Sequence, residues 1–224
     1  SRLKGKSIKF EIMTIRDYPV AIIGAGPIGM AAAAHLVNRN IPFILFESGH
    51  SVGASLLDWG HVRVFSPWRY NLDKAAENLL REMGWEKPDA NELPTGAELV
   101  SQYLLPLSFH PEIEPYLHLS SRVLTITRKG IDKMRTSGRE DVPFLLKVNQ
   151  NGTLKSFETS GVIDASGTWQ NPNPIGAGGV LAPGELENNN RIAYRIPDIL
   201  GKDKARYANK AVVVVGTRQK WWTG

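Results

Sequence analysis

The chain has 224 residues, 22% of them charged and 42% hydrophobic, so a wholly disordered or fibrous protein is excluded. It contains no cysteine, which removes disulfides, Cys-ligated zinc, iron–sulfur clusters and thiol redox chemistry from this stretch. The formal net charge is +5. Its excess sits in Arg2, Lys4, Lys6 and Lys9 against Glu11 at one end, and in Arg218 and Lys220 at the other. Residues 13–217 are net neutral, so no clustered basic face for nucleic acid is expected.

Residues 1–12 read as a leader or cloning remnant, with Met13 as the natural start. Tyr18–Ile23 is a short apolar run ending at glycine, a buried strand. Residues 24–29 are Gly-rich, and Pro27–Asn38 reads as a helix with proline in its first turn. Pro42–Phe46 is a second apolar strand, and such a crossover predicts a parallel pair. Residues 20–37 carry no charge, but the glycines and Pro27 argue against a membrane span. A soluble, cytoplasmic chain with no membrane partner is the default expectation.

Residues 48–71 read as a long loop with short helical pieces. Leu72, Ala75, Ala76, Leu79, Leu80 and Met83 share one helical stripe; Lys74, Glu77, Asn78, Arg81 and Glu82 are expected to face away, and Gly84 ends the helix. Thr95 and Glu98 form a capping box that opens another helix, expected to stop at Pro106. Strands are predicted at Val123–Thr127, Pro143–Asn149 and Thr153–Glu158, the last two joined by the hairpin signal Asn151-Gly152. The charged residues 128–141 read as a solvated loop. Gly161–Ala165 is a further buried strand, 171–208 a linker or extended loop, and Ala211–Val215 a strand that opens a second unit over 209–224.

Gly24-Ala25-Gly26-Pro27-Ile28-Gly29 is G-x-G-x-x-G between a strand and a helix. Gly24 permits a tight turn, Gly26 a close approach of the backbone to a pyrophosphate, and Gly29 close helix–strand packing. The helix N-terminus then favours the phosphates. Glu47 follows the second strand, with Ser48 beside it, where an acid accepts hydrogen bonds from adenosine ribose hydroxyls and repels a 2′-phosphate. The alternative is a Gly-rich turn in another kind of α/β protein, with Glu47 merely solvated.

Gly24–Gly29, Glu47, the three-strand excursion and the strand VIDASGTW (162–169) together resemble FAD-dependent pyridine-nucleotide oxidoreductases with two dinucleotide-binding domains, nearest the flavin-containing monooxygenase-like branch. The resemblance implies an α/β fold: a Rossmann-like FAD-binding domain over 13–170, with a parallel sheet, helices and a small antiparallel excursion. It implies that Gly24, Ala25, Gly26, Pro27 and Gly29 hold the FAD pyrophosphate and Glu47 the adenosine ribose, with Ile28 and Ser48 also among the cofactor-binding residues. Val123 would contact adenine through its backbone, and Ala165, Ser166 and Gly167 would pass beneath the cofactor. The implied activity is NAD(P)H-dependent oxidation of a small-molecule substrate, a monooxygenase reaction or a reductase reaction without oxygen insertion. A non-catalytic dinucleotide-binding remnant is the remaining reading. The family would carry a second Gly-rich turn for NAD(P)H after Ala211–Val215. Gly216 is followed instead by Thr217-Arg218-Gln219, so a truncated or frame-shifted product is expected.

Gly53, Ser55, Trp59, His61, Arg63 and Trp68 are candidates for a wall beside the flavin, though packing roles are the stronger expectation for each. The five histidines lack metal-ligand spacing, so no metal is expected. No catalytic side chain is singled out, because a flavin carries the difficult step itself. Nothing in the sequence sets the oligomeric state.

Overall fold

A computed structural model describes residues 14–215. The expected leader 1–12, the start at Met13 and the turn at Gly216 lie outside the described residues.

The centre is a four-stranded parallel sheet in the order β3-β2-β1-β7, with β1 Val20–Ile23, β2 Phe43–Phe46, β3 Leu117–His118 and β7 Gly161–Asp164. The predicted crossover is present: helix α1 (Pro27–Val37) joins β1 to β2, and Val20 pairs with Phe43 in parallel register. The period of two along each strand divides the sheet's side chains between two layers. Ile22, Phe43, Leu45 and Ile163 pack with the helices, whereas Ala21, Ile44, Phe46 and Val162 point the other way. On that second face lies an antiparallel sheet, β4 (Ser121–Arg128), β5 (Phe144–Gln150) and β6 (Thr153–Thr159), whose Leu146 and Val148 are fully buried. Its hairpin has Asn151 and Gly152 both left-handed (φ 50° and 83°), the geometry that a two-residue loop between twisted strands demands.

Short helices α2 (Ala54–Leu57) and α3 (Trp68–Asn71) interrupt the long loop, as expected. Helix α4 (Lys74–Glu82) is capped by Asp73, whose Oδ1 accepts from the amides of Ala75 (2.9 Å) and Ala76 (3.1 Å). Two expectations for α4 fail. Met83, placed on the apolar stripe, follows the helix and is exposed. Glu77 is buried, not turned to solvent, and pairs with Arg81 and with Lys87 from the loop beyond the helix (3.0 Å). A carboxylate tolerates burial only with such partners.

Helix α5 (Gly96–Leu99) opens on the predicted capping box of Thr95 and Glu98. It does not stop at Pro106. The chain widens into a π segment (Val100–Leu104) and continues as α6 (Leu105–Ser108), with Pro106 in the first turn of α6. Proline has no amide hydrogen for the carbonyl of Gln102, four residues back. The indole N–H of Trp85 donates to that carbonyl instead, at 2.7 Å, so no acceptor is stranded.

Within this helical layer Tyr103 is buried, and its hydroxyl accepts from the amide of Asp73 at 3.3 Å. Burial pushes its pKa from 10.0 up to about 12. The unfolded chain therefore loses this proton first, and stability present below pH 10 is lost as pH rises toward 12, by at most about 2–3 kcal/mol. In urea titrations, Tyr103→Phe should be less stable than the parent at pH 8 by about 1 kcal/mol, for the lost acceptor. That gap should narrow or reverse above pH 10.

The stretch 171–208 holds only short turns and one turn of helix, α7 (Lys204–Tyr207), yet it is not slack. Buried Glu185 accepts from the amides of Ile175 (2.9 Å) and Ala182 (2.7 Å) and from the Tyr194 hydroxyl. Ala211–Val215, expected as a buried strand, has no regular structure, and Val213 and Val214 are 85% exposed. Its composition suits a strand, but no strand among the described residues offers it a ladder. No helix among them is long and apolar enough to cross a membrane.

Candidate functional site: a groove at the carboxyl ends of the parallel strands

The turn 24–29 answers two steric demands inside the chain, at Gly24 and at Gly29. Gly24 sits at φ +96°, and a Cβ there would lie 2.6 Å from the carbonyl oxygen of Ala165. A Cβ on Gly29 would lie 1.8 Å from the carbonyl oxygen of Gly24. These two glycines let β1, β7 and α1 meet. Gly26, the N-cap of α1, is different: its φ is −81° and a Cβ would meet nothing within 4 Å. No contact among the described residues requires a glycine there. A group seated against the backbone would.

Beside Gly26 runs a groove of about 580 Å³, within the range of small-molecule sites. Of the twelve residues singled out in the sequence, ten line it: Gly24, Gly26, Pro27, Ile28, Glu47, Ser48, Val123, Ala165, Ser166 and Gly167. Gly29 lies behind the wall, under Gly24. Ala25 is also behind it, fully buried, and its amide is committed to Glu47 Oε2 at 2.8 Å. Ala25 therefore cannot offer that amide to a phosphate; it fixes the acid instead. Glu47 Oε1 takes the amide of Gly49 at 2.7 Å and the Ser48 hydroxyl at 3.4 Å, so both carboxylate oxygens are anchored, and Oε2, with one donor, keeps a lone pair.

The candidate wall residues divide. Gly53 and Ser55 line the groove. Trp68 is buried in the core, Trp59 packs on Gly96 and near Trp169, Arg63 donates to the carbonyl of Leu93, and His61 is exposed. Packing explains the two tryptophans.

Several lining residues escaped the sequence reading. Arg122, Leu124, Thr125 and Ile126 line one side from β4, and Asp164, Trp169 and Gln170 the other. Position in the fold was the available signal for Asp164: it ends β7, and open parallel sheets bind ligands beyond strand carboxyl ends. Ser166 donates to Asp164 Oδ1 twice, from Oγ at 2.6 Å and from its amide at 3.0 Å. Those bonds, the hydroxyl's first, hold the Asp164 carboxyl below its usual range. At the groove's end, Asp58 Oδ2 accepts from the Trp169 indole (2.8 Å) and from Arg195 (2.9 Å), which ties the 171–208 stretch to the loop after α2.

The groove thus offers open backbone at a helix N-terminus, one cation, two carboxylates and apolar flanks from Ile28, Leu124 and Ile126. An anion suits the first, hydroxyl donors the carboxylates, and a flat ring the flanks.

Residues 22–83 match the family model of the NAD(P)-binding Rossmann-like domain. Solved structures share the Rossmann-like fold at low identity. A bacillithiol disulfide reductase from Bacillus cereus is 18% identical with a TM-score of 0.55, over 75% of this chain and 44% of that one. A polycyclic ketone monooxygenase from Thermothelomyces thermophila is 17% identical with a TM-score of 0.50, over 71% of this chain and 24% of that one. An oxidized steroid monooxygenase bound to NADP is 17% identical with a TM-score of 0.50, over 67% of this chain and 26% of that one. The chain spans less than half the length of these proteins. No curated protein matches its sequence.

Proposed function

We propose that the groove binds FAD, with the diphosphate against Gly26 and the N-terminus of α1, the adenosine ribose at Glu47 and Ser48, and the second half of the dinucleotide along 164–167. The vacant Cβ position at Gly26 carries this reading, because no contact among the described residues calls for glycine there. The Rossmann-like family match over 22–83 and the structural likeness to disulfide reductases and monooxygenases support it at the level of fold.

When bound, FAD would supply two-electron redox chemistry, with NAD(P)H as its reductant. The role of this chain is to bind and orient: amides on the diphosphate, carboxylates on sugar hydroxyls, apolar β4 side chains on a ring face. The activity we infer is that of an FAD-dependent oxidoreductase acting on a small molecule, of the monooxygenase kind. A reductase without oxygen insertion is the neighbouring reading. The absence of cysteine in all 224 residues disfavours a dithiol reductase for this stretch.

Equilibrium dialysis of the 224-residue chain against FAD tests the binding step. Stoichiometric retention of a yellow cofactor, released as free flavin on denaturation, is expected. A colourless protein after dialysis at tens of micromolar FAD would refute the reading.

A further inference from the structure

Resting on the dinucleotide reading above, we propose that Asp164 is a second sugar-binding carboxylate, taking hydroxyl groups on the opposite side of the diphosphate from Glu47. Ile23, the last residue of β1, pairs with Phe46 on one flank and with Asp164 on the other. Glu47 follows Phe46 directly. Neighbouring strands stand about 4.8 Å apart, so the two acids belong to strands roughly 10 Å apart, with β1 and the turn into α1 between them. A diphosphate seated at that turn has one sugar directed toward each flank.

The hydrogen bonds leave capacity for this. Asp164 Oδ1 takes both bonds from Ser166, whereas Oδ2 accepts nothing from the described residues, and Asp164 is among the residues that line the groove. Ser166 thereby fixes the carboxylate and favours its ionised form. A bare anion beside a diphosphate is repelled by it, and hydroxyl donors from the ligand would offset that cost. The ligand class selected is one with a polyol or ribose on each side of a diphosphate. A mononucleotide diphosphate lacks the second sugar, and a ligand with a further phosphate there would be rejected.

Calorimetric titration of the full chain and of Asp164→Asn with ADP and with ADP-ribose tests the assignment. Asparagine keeps the shape, and its Oδ1 can still accept both bonds from Ser166. ADP-ribose should bind Asp164→Asn about 10-fold more weakly than it binds the parent, with ADP unchanged within about 2-fold. Ser166→Ala, which loosens the carboxylate without removing it, should move ADP-ribose in the same direction by less. Unaltered or tightened ADP-ribose binding to Asp164→Asn would overturn the proposal, as would equal changes for both ligands. Failure of ADP to bind the parent chain is a different outcome, one that refutes the groove's diphosphate site itself.

Discussion

Replacing Gly29 with alanine should destabilise the protein by about 3 kcal/mol or more, lowering Tm by about 6–12 °C. The added methyl would stand 1.8 Å from the carbonyl oxygen of Gly24, with the Ile22 side chain behind it at 3.5 Å. Relief would need a shift of backbone. Gly24 cannot supply it, because its own left-handed geometry is fixed against Ala165. Helix α1 would have to lift from β1, exposing Met30, Ala33 and Ala34, which are fully buried. Differential scanning calorimetry of Gly29→Ala checks this, and a Tm within 2 °C of the parent would contradict the close approach.

Gly26→Val should have the opposite profile. Its φ of −81° suits any residue, and a Cβ meets no atom of the described residues within 4 Å, so Tm should fall by no more than about 2–4 °C, the cost of a β-branched residue at an N-cap. Binding should suffer instead. Two methyl groups at the N-cap of α1 would hold a diphosphate off the amides, and affinity for FAD should fall at least about 100-fold. The pair of glycine variants separates a fold requirement from a ligand requirement within six residues. Parallel melting and FAD dialysis of both reads it out. A larger loss of Tm in Gly26→Val, or full FAD binding by it, would show that the empty space serves something else.

Much of the β1–α1–β2 unit was legible because its signals are local. The apolar runs are short, the glycines sit at fixed offsets, and Pro27 falls where a helix tolerates it. Asn151-Gly152 announced the β5–β6 hairpin for the same reason. What escaped depended on partners remote in sequence. Pro106 looks like a stop until the Trp85 indole is seen on the carbonyl that it abandons. Glu77 looks solvated until Lys87 folds back onto it. Strand β3, two residues long, has no periodicity to read, and is defined by its ladder to Leu45 and Phe46. Ala211–Val215 errs the other way: its valines promise a strand, but a strand exists only with a neighbour. In the site, the motif alone places Ala25 on the phosphates, whereas its amide serves Glu47.

The division of β1 and β2 between two layers sets an unusual tolerance. Ile22 answers to the helices and Ala21 to the antiparallel sheet, so exchanges of similar volume at either position disturb one side only. Insertion or deletion of a single residue within 20–23 is another matter. It would turn every later side chain of the strand through the sheet and carry Gly24 out of step with Ala165. A change of residue in this region is therefore easier to accommodate than a change of length.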